Sequence, residues 1–169
     1  GSPKQQFIPL LLLTLYMGVV GGVSVLIRLQ EAGLLWWLLI ISGTWSMDTF
    51  SYVGGRAYGK HPLAPQVSPS KTREGALTGI VGSLVISLLI LLQLQSLMPV
   101  SVAIALGAPF FALIGDLLES SVKRHFHVKD SHFKGFNVIP GHGGVLDRID
   151  SMMMVVIYCF VIVSLFSLL

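Results

Sequence analysis

The sequence predicts an all-α integral membrane protein with about five transmembrane helices and two polar cytoplasmic loops. Hydrophobic residues make up 53% of the 169 positions and charged residues only 11%, whereas ordinary soluble domains carry roughly 25% charged residues. The mean hydropathy of the chain is +0.80. Because a spanning segment must satisfy its own backbone hydrogen bonds, we interpret each long apolar stretch as a helix.

Five apolar stretches follow one another along the chain, and each is long enough for one crossing. They cover approximately residues 7–27, 34–52, 76–97, 100–122 and 151–169, and the last begins near residue 145 if its charged first turns are included. We expect Gly54 and Gly55 to end the second helix. Pro109 and Gly115 lie inside the fourth stretch, where they predict a kink or a break.

We expect residues 7–169 to form one polytopic membrane catalytic domain. The leading Gly1-Ser2 pair is typical of a remnant left by an expression vector, and we exclude it from the domain. The single cysteine, Cys159, has no partner for an internal disulfide and gives no information on the redox compartment.

The distribution of Lys and Arg predicts the orientation. Ten of the eleven basic residues lie before the first stretch, between the second and third, or between the fourth and fifth, and only Arg28 lies on the other side. By the positive-inside rule both polar loops face the cytoplasm. We therefore expect an integral protein of the cell inner membrane, or an equivalent membrane, with its active site facing the cytoplasm.

Ionisable residues are concentrated where the fourth and fifth stretches meet the polar loop between them. At a spacing of three or four residues they share a helix face, and such groups near membrane depth indicate a functional site. Asp116, Glu119, Ser120 and Lys123 form one such set, and Asp147, Asp150 and Ser151 form another, beside Arg148. Two carboxylate-bearing helix ends suit Mg²⁺, whereas ordinary helix-end charge compensation is the simpler alternative.

Two further segments are candidates for phosphate binding. In Ile139–Gly144 the glycines free the backbone, so the amides of Gly143 and Gly144 can turn toward an anion, with His142 beside them. The alternative is a polar turn with an exposed histidine. Ser68–Gly75 offers hydroxyl groups and Lys71 before the third helix, although such a segment, taken alone, is more often a capped helix start with a basic cytoplasmic loop.

Asp48 follows a long apolar run and stands beside hydroxyl-bearing residues. It is either a third carboxylate of the site or a helix-end residue at the interface, and the sequence leaves both interpretations open.

Several of these residues together resemble the signature of the phosphatidate cytidylyltransferases, which are membrane CDP-diacylglycerol synthases. The similar positions are Ser121, Lys123-Arg124, Lys129-Asp130 and Pro140–Asp150, and upstream Asp48-Thr49, Gly55-Arg56, Gly59-Lys60, Ser68–Gly75 and Gly115-Asp116 to Glu119-Ser120. Family members are usually longer, so the chain resembles the carboxyl-terminal portion of the family.

The resemblance implies transfer of CMP from CTP to phosphatidic acid, with CDP-diacylglycerol and pyrophosphate as products. It implies Mg²⁺, with room for a second cation, bound by Asp116 and Asp147 with help from Asp150 or Asp130. The residues expected to contact phosphate groups are Lys123, Arg124, Lys129, Arg148, Lys71, His142, Ser68, Thr72, Ser120, Gly143 and Gly144. The expected partners are CTP, phosphatidic acid and membrane lipid, with a homodimer as an open alternative, and nucleic acid is not expected.

Other functions remain open at the level of the sequence. The spacer between Asp130 and Pro140 is longer than the family usually has, which keeps a CDP-archaeol synthase or a polyprenol kinase as alternatives. An ion or proton transporter would also place carboxylates in a membrane helix bundle.

Overall fold

The computed structural model describes residues 3–125 and 146–168 of the chain. Five long helices and one short hairpin make up this part of the protein. In chain order they are α1 Pro3–Arg28, α2 Gly33–Tyr58, β1 Pro62–Ala64, β2 Ser68–Thr72, α3 Arg73–Gln93, α4 Pro99–His125 and α5 Leu146–Ser167. The predicted all-α membrane fold is confirmed, with the antiparallel β1–β2 hairpin as an addition that the apolar pattern did not predict.

Three of the helices are long and apolar enough on their own to cross a bilayer. Within the described residues they are Leu11–Arg28, Arg73–Gln93 and Pro99–His125, and Ser151–Ser167 is a shorter apolar helical segment. Large apolar side chains are exposed on the outer surfaces of all five helices. These surfaces suit contact with lipid tails.

The interior of the bundle contains small and polar residues among its apolar core. The buried polar side chains in the described residues are Thr44, Ser83, Ser87, Ser101 and Ser151. The Ser83 hydroxyl donates a hydrogen bond of 2.8 Å to the carbonyl oxygen of Gly43, which joins α3 to α2. Small and hydroxyl-bearing residues at helix contacts are typical of membrane bundles, where close backbone approach stabilises association.

The second helix is longer than expected, because Gly54 and Gly55 do not end it. Helix α2 continues through both glycines to Tyr58. A side chain at Gly54 would collide with Thr78 of α3, and Gly55 faces the Thr72 hydroxyl group. These glycines permit a close helix–helix contact, and our prediction of a helix end at this point was wrong.

The fourth helix is not broken at Pro109 or Gly115, where we predicted a kink or a break. Helix α4 runs from Pro99 to His125 with Pro109 buried inside it. It packs against α5, where the Tyr158 hydroxyl donates to the Ala103 carbonyl at 2.7 Å and the Tyr158 ring stacks on Phe111 at 4.3 Å. These two contacts hold α4 against α5 on either side of Pro109.

Candidate active site

The β1–β2 hairpin is anchored at its base by Glu74, which lies in the first turn of α3. The Glu74 carboxylate accepts hydrogen bonds from the backbone amides of Lys60 and His61 at 3.1 and 3.2 Å. Its other oxygen lies 2.6 Å from Nδ1 of His61. The Thr72 hydroxyl caps α3 by accepting a hydrogen bond of 3.1 Å from the amide of Gly75. The sequence from residue 60 to 75 therefore folds into a fixed connection between α2 and α3.

The hairpin brings Lys71 into contact with α4. The Lys71 ammonium forms an ion pair with Oδ2 of Asp116. The two side chains are 24% and 31% exposed, so water screens this pair less than it screens a fully exposed one. Lys71 and Asp116, which the sequence placed in separate candidate segments, belong to one site.

A cavity of about 540 Å³ surrounds this ion pair, where α2, α3, α4, α5 and the hairpin meet. Its volume lies within the range of small-molecule sites. The polar and ionisable side chains that line it are Asp48, Ser51, Tyr52, Arg56, Ser70, Lys71, Thr72, Asp116 and Ser151. The cavity therefore combines two carboxylates, two cationic groups and several hydroxyl groups at one end of the bundle.

Asp116, Lys71 and Thr72, which we expected to bind metal or substrate, line the cavity, and so do the further candidates Asp48 and Ser151. Ser68, the first residue of β2, and Ser120 on α4 lie outside its lining.

Two predicted cationic residues on α4 have other contacts in this structure. Lys123 forms an ion pair of 2.6 Å with Glu119, one turn earlier on the same helix. Nε of Arg124 donates a hydrogen bond of 3.2 Å to the carbonyl oxygen of Val67, in the turn of the hairpin. Neither residue belongs to the cavity lining, and the contact of Arg124 ties α4 to the hairpin that carries Lys71.

The remaining predicted residues belong to the segment between α4 and α5 or to the start of α5. Lys129, Asp130, His142, Gly143 and Gly144 lie outside the described residues. The first turns of α5 contain three more predicted residues, whose side chains also lie outside the described part of the structure. These are Asp147, Arg148 and Asp150.

Helix α2 contributes Asp48, whose role the sequence left open, and Tyr52 and Arg56, to which we assigned no role from the sequence. Asp48, Tyr52 and Arg56 follow at intervals of four and all line the cavity. Nη1 of Arg56 donates a hydrogen bond of 3.1 Å to the Tyr52 hydroxyl. The four-residue spacing was the available signal, but the expected helix end at Gly54 separated Arg56 from the helix that carries Asp48.

The donor atoms of the cavity suit a hard divalent cation. Asp48 and Asp116 supply carboxylate oxygens, and Ser151 supplies a hydroxyl oxygen from α5. Mg²⁺ prefers oxygen ligands and usually retains sites for water and phosphate. Among the described side chains no three His, Cys, Asp or Glu residues come together as a metal site. Asp147 lies one turn before Ser151 on α5, so the helix that reaches the cavity also carries a further predicted ligand.

Comparison with known proteins identifies a family over almost the whole chain. A family model described as the cytidylyltransferase family matches residues 2–166. The chain is 38% identical to the phosphatidate cytidylyltransferase of Bacillus subtilis over 159 residues, which cover 92% of this chain and 58% of that relative.

Similar enzymes of staphylococci give the same result. The chain is 39% identical over 142 residues to the phosphatidate cytidylyltransferases of Staphylococcus saprophyticus and Staphylococcus aureus, covering 83% of this chain and 52% of each relative. The chain therefore spans somewhat more than half the length of these curated relatives.

Proposed function

Because the chain belongs to the cytidylyltransferase family, we propose that it transfers CMP from CTP to phosphatidic acid, giving CDP-diacylglycerol and pyrophosphate. The observation that carries this proposal is the cavity in which Lys71 and Arg56 stand beside Asp48 and Asp116. A site with both charge signs suits a substrate rich in phosphate together with a divalent cation. The relatives named phosphatidate cytidylyltransferase support the choice of substrates.

The proposed reaction requires positioning and charge neutralisation more than a strong base. A phosphate monoester has a second pKa near 6, so the lipid phosphate is largely dianionic at neutral pH. One of its oxygens forms a bond to the α-phosphorus of CTP. The bond from that phosphorus to the α,β-bridging oxygen breaks, and its electron pair leaves with pyrophosphate. The chain must therefore hold two polyanions in line and stabilise the developing charge.

The residues of the cavity have separate roles in this proposal. The ammonium of Lys71 and the guanidinium of Arg56 neutralise phosphate oxygens and hold the triphosphate in place. Asp116 and Asp147, with Asp150 or Asp130, would hold Mg²⁺, and Asp48 is a further carboxylate at the same cavity. When bound, Mg²⁺ would neutralise charge on the phosphate oxygens during the displacement. A second cation at this site stays a prediction.

The remaining sequence-derived residues keep their proposed roles as contacts to phosphate. Lys129, Arg148, His142, Gly143 and Gly144 would approach the substrates from the segment before α5 and from its first turn. The basic residues beside the cavity support an active site at the cytoplasmic face, close to the head groups of the lipid substrate. A homodimer stays a prediction.

The position of the label in CTP tests the proposed reaction directly. The purified chain in lipid vesicles with phosphatidic acid and Mg²⁺ is expected to move label from [α-³²P]CTP, and not from [γ-³²P]CTP, into the lipid fraction. Transfer of the γ label to a polyprenol would identify a kinase instead. Transfer of the α label to an archaeal ether-lipid phosphate but not to phosphatidic acid would change the substrate, and failure to label any lipid would overturn the proposal.

A further inference from the structure

The positively charged Lys71 side chain forms an ion pair with Asp116, which we propose as a ligand of Mg²⁺. We propose that Lys71 competes with the divalent cation for Asp116, so that the cation binds strongly only when a nucleotide draws Lys71 away. This inference rests on the proposed function and adds a regulatory property to the same site. It makes Lys71 a link between the binding of metal and the binding of CTP.

Competition follows from charge and from the position of the pair. The Lys71 ammonium contacts one carboxylate oxygen of Asp116 and neutralises its charge. A divalent cation entering at the same carboxylate would meet a positive charge at short range. Because both side chains are at least two-thirds shielded from solvent, water and salt screen that repulsion less than at an open surface.

A nucleotide can relieve the competition because it supplies another anion for Lys71. The triphosphate carries several negative oxygens, and a lysine ammonium on its four-carbon stem can move between anionic partners. The hairpin itself need not move. Its base is fixed to Glu74 through the amides of Lys60 and His61, and its turn is fixed to Arg124.

The proposal makes metal and nucleotide binding mutually favourable. Release of Asp116 by Lys71 strengthens metal binding, and by linkage a bound metal strengthens nucleotide binding by the same factor. A purely structural Lys71–Asp116 bridge makes a different prediction. Its loss would lower the stability of the protein without making the carboxylate more available to a cation.

The test measures Mn²⁺ binding to the full chain in detergent, without nucleotide, from the electron paramagnetic resonance signal of free Mn²⁺. Lys71→Met is expected to bind Mn²⁺ more tightly than the unsubstituted chain, by roughly 5- to 150-fold, the usual range for coupled sites. Lys71→Arg retains the charge and should bind Mn²⁺ as weakly as the unsubstituted chain. Lys60→Met is the matched control, because it removes the same charge from an exposed side chain outside the cavity lining.

A double substitution locates the effect. In Lys71→Met combined with Asp116→Asn, the gain in Mn²⁺ affinity should disappear, because the contested carboxylate is absent. If Lys71→Met does not fold, Lys71→Gln removes the charge and retains a hydrogen-bonding group for Asp116. Equal Mn²⁺ affinities for the unsubstituted chain and a folded neutral variant would overturn the inference.

The two proposals fail in distinguishable ways. If the chain transfers the α label but Lys71→Met binds Mn²⁺ no more tightly than the unsubstituted chain, the competition is rejected and the cytidylyltransferase function stands. Absence of label transfer would reject the function, while the Mn²⁺ comparison would still report whether Lys71 competes for Asp116.

Discussion

At the scale of residues, the ion pair between Lys71 of the hairpin and Asp116 of α4 joins two distant parts of the chain inside the cavity. Thr72 was expected to contact phosphate, and its hydroxyl also caps α3. Arg124 was expected to neutralise phosphate, and its guanidinium holds the turn of the hairpin. Residue types predicted the chemistry of the region, but contacts between distant segments decide which side chain supports which.

Asp48 lines the cavity, which favours a role in the site over the alternative of a helix-end residue. Asp48→Asn preserves the size of the side chain and removes its charge. We expect activity to fall by roughly 10- to 100-fold, as for groups that support a metal site, with little change in the thermal unfolding midpoint. The measurement is initial rate against Mg²⁺ concentration. Unchanged rates at every Mg²⁺ concentration would return Asp48 to the helix-end interpretation.

At the scale of elements, apolar length predicted the five helices, whereas the ends of the helices and the hairpin depended on tertiary contacts. From the sequence alone, Gly54 predicts a helix end, because glycine weakens an isolated helix. In the folded chain it lies inside α2, where its missing side chain leaves room for Thr78 of α3. The hairpin depends on Glu74, whose carboxylate accepts hydrogen bonds from two backbone amides that precede β1. No periodic pattern in the sequence carries that information.

The close contact of α2 with α3 gives a test of packing. A Cβ atom at Gly79 would lie 2.8 Å from the carbonyl oxygen of Met47, which is a backbone atom of α2. We expect Gly79→Ala to destabilise the protein by about 1–3 kcal/mol, as overpacking does in well-packed interiors. The thermal unfolding midpoint in detergent measures this effect.

Gly21→Ala is the matched control for this substitution. It makes the same change within helix α1, where nothing lies within 4 Å of the added Cβ. Its midpoint should equal or exceed that of the unsubstituted chain, since alanine favours a helix over glycine. Equal midpoints for the two variants would contradict the packing described for α2 and α3.

At the scale of the whole molecule, the distribution of charge and the position of the cavity agree. The hairpin supplies Lys71 to the cavity, and the end of α4 that contacts the hairpin through Arg124 is also basic. The turn between α3 and α4 carries no Lys or Arg. Exposed apolar side chains surround the helices between these two ends. By the positive-inside rule this distribution supports the proposed orientation, in which the cavity faces the cytoplasm.

Chemical labelling tests that orientation. Gln66→Cys places a thiol in the turn of the hairpin, and Leu97→Cys places one in the exposed turn between α3 and α4. A membrane-impermeant maleimide should modify Gln66→Cys in inside-out vesicles and Leu97→Cys in right-side-out vesicles. The natural Cys159 is buried and should stay unmodified. The reverse pattern of labelling would place the cavity on the other side of the membrane.

The central proposal is that CMP is transferred in the cavity around Asp116. Its most direct test is the rate of transfer of the α label from CTP to phosphatidic acid by Asp116→Asn, compared in the same vesicles with the unsubstituted chain and with Gly21→Ala. We predict that Gly21→Ala retains the rate and that folded Asp116→Asn loses about 100-fold or more, as when a group that stabilises transition-state charge is removed. Transfer by Asp116→Asn at the rate of the unsubstituted chain would contradict the account.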